Sequence, residues 1–357
     1  MNPIIYNEFG RQHFTKLTST LLSGSIKYIG SVLAPNGCIY YIPGGASKVL
    51  KLNPSTGIIT LIGNSYGVTS NHKWVGGTLA PNGKIYCPPQ SVASINKILV
   101  INPMNDTTEL LDKIGGISYS GGVLASNGSI YFIPTNNSQV LKLDPNTGIT
   151  TLIGNSYSES VANWYGGVLA FNEKIYCAPL YNDKILEIDP TTNTTTLVGN
   201  SILGVAKYSG AVLAPNGKIY FSPYTGASRI LELNPATGTT TLIGSTYNHE
   251  QKWIGGGIIG PNGKIYFIPF KMGKVLELDP TTNTTKLIGE NYGTSNIKWT
   301  SGALSSNGKI YSGMYNSNQI LEIYNINNIN IIPSDSLIPN NLSLLTTSNY
   351  NKYYNKF

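Results

Sequence analysis

An Ile-Tyr pair following an Asn-Gly-type turn returns seven times, and this repeat constrains the fold more than any other feature of the chain. Its tyrosines are Tyr40, Tyr86, Tyr131, Tyr176, Tyr220, Tyr266 and Tyr311, spaced 46, 45, 45, 44, 46 and 45 residues apart. The clearest unit runs from Trp253 to Gly289 and reads as four strands. A small-residue strand comes first, as in Gly76-Gly77-Thr78-Leu79-Ala80, followed by a tight turn such as Pro81-Asn82-Gly83. Asn-Gly predicts a type I′ hairpin turn, which takes two positive φ angles. Only the fourth unit departs there, with Asn172-Glu173. The second strand carries the tyrosine and ends at a proline in six units, from Pro43 to Pro269. The third is Val275-Leu276-Glu277-Leu278, closed by Asp279-Pro280, and the fourth is Thr284 to Ile288, closed by Gly289.

A lone four-stranded sheet of this kind leaves apolar side chains bare on both faces. Set radially, each sheet covers its neighbours, and four antiparallel strands at about 45 residues is the spacing of β-propeller blades. The predicted fold is all-β, a seven-bladed β-propeller over residues 14–323. Thr15-Lys16-Leu17 matches the fourth strand Thr285-Lys286-Leu287, so the segment Phe14 to Ser19 is expected to close the seventh blade. Ile329 to Ile332 stands where an in-line fourth strand would fall and is the rival closure. Residues 1–13 read as a lead, and residues 324–357 as an Asn-, Ser- and Tyr-rich tail without regular structure.

Composition narrows the function classes. Charged residues are 11%, which excludes a coiled coil, and 41% hydrophobic residues exclude wholesale disorder. The net charge of +7 favours acidic partners, but the lysines are scattered singly, without the run that marks a nucleic-acid arm. Nucleic acid is therefore not an expected partner. No apolar run reaches the roughly 18 residues of a membrane helix, and the first residues lack a signal peptide's apolar stretch. Cys38, Cys87 and Cys177 form no CxxC pair. These features predict a soluble, intracellular protein with free thiols.

The runs Ala-Pro-Asn-Gly-Lys-Ile-Tyr, Val-Leu-Glu-Leu-Asp-Pro and Thr-Thr-Thr-Leu-Ile-Gly resemble the repeats of the YVTN/NHL-like propeller superfamily. There a Pro-Asp-Gly turn precedes a Tyr-bearing strand, and this chain carries Asn where that family usually has Asp. The resemblance implies the propeller fold. Its members include structural modules, ligand binders, lyases and lactonases, so it implies no single activity.

Long loops join successive blades, and the end of the ring that displays them is the candidate working face. The candidate ligand-binding residues recur where each loop ends: Tyr28, Trp74, Tyr119, Trp164, Tyr208, Trp253 and Trp299, preceded by Lys27, Lys73, Lys207, Lys252 and Lys298 in five units. Ser118 and Asn163 precede the other two aromatics. One reading is a ring of platforms that stack on sugars or bases, with ammonium groups for anions. The other is that each ring packs on the neighbouring blade. Tyr66, Tyr157, Tyr247 and Tyr292 either line shallow pockets or pin the loops. Glu187, Glu232, Glu277 and Glu322 read as charge on an outer strand, discouraging edge pairing.

No catalytic residue, metal site or cofactor is predicted. The histidines are His13, His72 and His249, no zinc-ligand spacing exists, and there is no nucleophile elbow, P-loop or HExxH. Cys87 and Cys177 read as core. The leading expectation is a non-enzymatic scaffold that presents its inter-blade loops to a protein partner. The alternatives are a lectin-like binder of glycans or small anionic ligands, and a lyase- or lactonase-type enzyme drawing on His72, His249, Glu250 or Glu159.

Overall fold

A computed structural model describes residues 14–18, 27–90, 95–116, 118–159 and 162–324. Their strands form seven four-stranded antiparallel sheets, the propeller that the repeat predicts. In the first blade the strands are Tyr28–Leu33, Ile39–Pro43, Val49–Leu52 and Ile59–Ile62, running outward from the axis. Strand side chains alternate between faces, and the two middle strands of each blade are largely apolar and buried on both, apart from the third-strand position held by Lys51, Lys142 and four glutamates. Each junction between neighbouring blades holds one apolar cluster: Val32, Tyr40, Ile42 and Val49 of blade 1 meet Trp74, Ile85, Leu99 and Ile101 of blade 2.

The ring closes as expected. Phe14–Leu17 pairs antiparallel with Leu321–Tyr324 as the outer strand of blade 7, and Thr15 faces Ile323 in that register. Blades 7 and 1 then share a cluster built on Tyr41, Leu50, Tyr311 and Met314. Residues 1–13, the rival segment Ile329–Ile332 and the rest of the tail lie outside the described residues.

The hairpin turns differ from the predicted type I′. Only the glycine adopts positive φ, as at Gly37 (76°) and Gly83 (78°), and the Gly37 N–H donates to the Ala34 carbonyl at 3.0 Å. This is a type I turn with proline at its second position and a left-handed residue after it. Asparagine is needed for its side chain. Asn36 Oδ1 accepts from the Cys38 N–H at 3.1 Å, while Nδ2 donates to the Tyr40 hydroxyl and to the Pro103 carbonyl of the next blade, both at 2.9 Å. Asn307 repeats the clamp across the closure, to Tyr311 and to Pro54. In the fourth unit Glu173 takes the left-handed position, at φ 63°.

The third-strand glutamates are not on an edge, because the fourth strand covers them. Glu187, Glu232, Glu277 and Glu322 pair with Lys174, Lys218, Lys264 and Lys309 at 2.6, 2.7, 2.9 and 2.8 Å. Near the axis, glycine is required by close approach. A Cβ on Gly30 would sit 2.7 Å from the Gly76 Cα, and one on Gly76 2.8 Å from the Gly121 Cα.

Candidate functional site

Five of the candidate aromatics begin the innermost strands, Trp74 and Trp253 make isolated bridges to Pro89 and Pro269 just before theirs, and the structure places all seven inside the walls of the ring. None is more than 3% exposed. The indole N–H of Trp74 donates to the Lys97 carbonyl, Trp164 to Lys184, Trp253 to Lys274 and Trp299 to Gln319, at 2.8–3.3 Å. Each acceptor is the carbonyl just before or at the start of the same blade's third strand, so the ring ties inner and outer parts of one blade together. Tyr66, Tyr157, Tyr247 and Tyr292 meet those four tryptophans edge-on, with centroids 5.0, 4.8, 5.2 and 5.1 Å apart. Their hydroxyls donate to Thr108, Thr195, Thr285 and Thr15 at 2.9–3.0 Å. The loop tyrosines pin the loops, and they occur only where the following aromatic is tryptophan.

The lysines are buried as well. Lys73 Nζ donates to the Gly67 carbonyl at 2.9 Å, and Lys27 to the Ser317 carbonyl at 3.0 Å and Asn318 Oδ1 at 3.2 Å. Lys207 reaches Gly204 and Tyr181, Lys252 reaches Thr225 and His249, and Lys298 reaches Gly293, Asn296 and Lys271, each at a backbone carbonyl. Burial holds the ammonium groups of Lys73, Lys252 and Lys298 at a pKa of about 8, below the usual lysine value. Where position 118 lacks a lysine, Lys113 of the shortened loop donates to the Gly115 and Gly116 carbonyls and lies 5.3 Å over the Tyr119 ring. Asn163 does the same for its own loop, donating to Ser158.

A recess of about 210 Å³ opens at this end of the axis. Its floor is Ile29, Tyr165 and Ile254, which also cap a narrow axial channel ringed by glycines. One wall is an aromatic arc: Tyr224 to Phe270 at 6.2 Å between centroids, Phe270 to Tyr315 at 5.1 Å, and Tyr315 to His72 at 5.9 Å. Leu180, Ile297, Gln90, Gln251 and Ser209 complete it. His72 Nδ1 lies 3.0 Å from Gln90 Oε1, and its Nε2 lies 2.9 Å from the Tyr315 hydroxyl. Burial pushes the imidazole's pKa below its usual value, against a smaller opposing effect of Gln90. Burial also raises the phenol of Tyr224 to about 12 and that of Tyr315 above its usual value.

Apart from His72, the residues of this cup are what sequence reasoning missed. The cup is built from three positions of the unit: the residue two before the recurring aromatic (His72, Gln251, Ile297), the residue after it (Ile29, Tyr165, Ser209, Ile254), and the residue beyond the second strand (Gln90, Leu180, Tyr224, Phe270, Tyr315). In five blades the register of the innermost strand shifts within the three residues that follow the aromatic, so simple alternation between the two blade faces is broken where the cup residues stand. The legible signal was variation. Wall residues repeat from unit to unit, whereas cup residues change in kind.

Among the described residues no group of three or more His, Cys, Asp or Glu side chains is placed to hold a metal ion. His249 lies outside the cup, its Nδ1 at the Glu250 carbonyl. Cys38, Cys87 and Cys177 are free and buried, and burial raises the Cys87 and Cys177 thiols well above the usual value. No helix among the described residues is long and apolar enough to cross a membrane.

No protein-family model and no curated protein matches the chain. Solved structures do. Virginiamycin B lyase from Staphylococcus aureus superposes with a TM-score of 0.71 at 15% identity, over 87% of this chain and 99% of that one. A streptogramin B lyase gives 0.67 at 17% identity, over 87% and 97%. The extracellular domain of the hybrid two-component system BT3049 from B. thetaiotaomicron gives 0.62 at 14% identity, over 88% of this chain and 42% of that one. At these identities the likeness is one of fold.

Proposed function

We propose that this protein is a non-enzymatic recognition module that engages a protein partner at its loop end, with the axial cup as the anchoring pocket. The supporting observation is that the units agree in the wall and diverge at the cup. A purely architectural ring has no need for Gln90, Leu180, Tyr224, Phe270 and Tyr315 at one equivalent position. An apolar and aromatic pocket with a few polar groups is the usual form of a binding site. The inter-blade loops around it also expose Val68, Leu203 and Val205, the apolar rim that a protein partner covers. The setting in this reading is intracellular, consistent with three free, buried cysteines.

The test compares partners co-purified with the tagged full chain and two variants. Leu203→Glu with Val205→Glu changes the loop rim, and Met104→Arg changes an exposed side chain on a third-to-fourth-strand turn at the opposite end. The reading expects partners lost with the first and kept with the second. Retention by the rim variant overturns it.

A lyase activity is the second reading, favoured by His72, an imidazole in the cup whose pKa burial lowers, and by the names of the first two structural neighbours. A catalytically inactive form of the S. aureus lyase has been solved with quinupristin. Chromatographic loss of quinupristin on incubation with this protein, abolished by His72→Gln, would establish the second reading. An unchanged compound rejects this substrate.

A further inference from the structure

We infer that the group received by the cup is an uncharged aromatic ring system of one or two rings bearing an N–H or O–H donor. This rests on the reading of the cup as the recognition site and specifies its chemistry.

Size comes first. An apolar cavity of about 150 Å³ admits benzene, and this one encloses about 210 Å³, so one or two fused rings fill it. The walls come next. Tyr224, Phe270, Tyr315 and His72 stand in a tilted and edge-to-face series at 5.1–6.2 Å, the spacing at which another ring extends the arc. Charge is excluded by the lining. Among the described residues no Asp, Glu, Lys or Arg side chain lines the cup, and the five loop-end lysines are directed to backbone carbonyls. An anion entering would lose its hydration without a cation to offset the loss.

Hydrogen bonding then selects the donor. The Gln90 carboxamide is assigned with its oxygen toward His72 Nδ1, so that nitrogen carries the hydrogen and Nε2 accepts from the Tyr315 hydroxyl. Tyr315 has spent its one hydrogen on the imidazole. Toward a ligand it offers only lone pairs, which an N–H or O–H satisfies. Tyr165 lines the floor that the same ring would rest on.

Such a group comes either from a free heterocycle or phenol, or from a Trp or Tyr side chain of a partner. Isothermal titration of the full chain with four probes tests the inference: indole, 1-methylindole, indole-3-carboxylate and N-acetyl-tryptophanamide. Indole is expected to bind saturably. The methylated ring should bind roughly 3- to 10-fold more weakly for want of one hydrogen bond, and the carboxylate should not bind over the same range. Tyr315→Phe keeps the ring and should bring indole down to the affinity of 1-methylindole. Binding of N-acetyl-tryptophanamide assigns the group to a partner's side chain, and its exclusion assigns a free ligand.

Absence of saturable indole binding overturns the inference. So does carboxylate binding equal to indole, or indole binding unaffected by both Tyr315→Phe and Phe270→Leu, substitutions mild enough to keep the fold. A chain that ignores indole yet loses its partners with the rim variant keeps the docking function and loses only this chemistry. One that binds indole but keeps its partners loses the docking function alone.

Discussion

His72 Nε2 lies 2.9 Å from the Tyr315 hydroxyl, joining residues 243 apart in sequence across the mouth of the ring. His72 belongs to the loop entering blade 2, and Tyr315 follows the second strand of blade 7, so the pair spans blade 1. It also sets a protonation state. With Gln90 Oε1 at Nδ1, the neutral Nδ1–H tautomer satisfies both contacts. Nitrogen chemical shifts of His72 at pH 7 should show that tautomer, with titration beginning only below the usual histidine value. Because the folded-state pKa is lowered, this contribution to stability is complete above the unfolded value of about 6.5 and falls away as the pH drops toward the folded value. An imidazolium at pH 7 would contradict the assignment.

Tryptophan substitutions should act on folding. Trp253→Ala removes a fully buried ring together with its hydrogen bond to Lys274 and its contact with Tyr247. A loss of about 3–5 kcal/mol is expected. Tyr247→Phe, which removes only the hydroxyl bond to Thr285, should cost about 1 kcal/mol. Denaturant midpoints measure both, and a Trp253→Ala protein of unchanged midpoint would place the ring outside the wall packing.

Buried lysines and buried tyrosines predict an alkaline maximum of stability. Lys73, Lys252 and Lys298 sit near pKa 8 when folded, against 10.5 in the free side chain. Between those values the unfolded chain holds more protons, so stability rises with pH. The phenols of Tyr40, Tyr119, Tyr208 and Tyr266 are raised above 10 by burial, so above that pH the unfolded chain ionises first and stability falls. Calorimetry at several pH values should show the melting temperature climbing from pH 8 and dropping beyond about 10. A steady decline from pH 8 onward would refute the lysine contribution.

Glu173→Gly should stabilise the protein. Glu173 occupies the left-handed position that glycine holds in the other units, at φ 63°. Relief of that backbone strain is worth about 1 kcal/mol, offset in part by the lost contact with Ser126. An increase in denaturant midpoint with unchanged slope is the expected reading.

Thr15 holds the closure from two sides, accepting the Tyr292 hydroxyl and the Glu290 N–H, both at 2.9 Å. Thr15→Val keeps the shape and leaves two donors without a partner, a loss of about 2 kcal/mol. Removal of residues 1–17 should lower the melting temperature further, because the outer strand of blade 7 goes with it.

Sequence alone determined the parts of this protein governed by period and local chemistry. The Asn-Gly turns, the Ile-Tyr strands and the Asp-Pro stops recur because every blade buries both faces of the same sheet, and Thr15-Lys16-Leu17 declared itself as a displaced fourth strand by matching Thr285-Lys286-Leu287. Even the misread turn type was an error in one φ angle, at the asparagine. What the tertiary structure decided was which way the recurring side chains face. Tyr28, Trp74 and Lys73 fit in sequence either a displayed aromatic and cationic ring or packing on the neighbouring blade, and burial against the adjoining blade and the loop carbonyls takes them into the wall. The cup depends on residues as far apart as Ile29, His72, Tyr165 and Tyr315, which share no local pattern. They meet only because seven blades closing on one axis bring their inner ends to a common point.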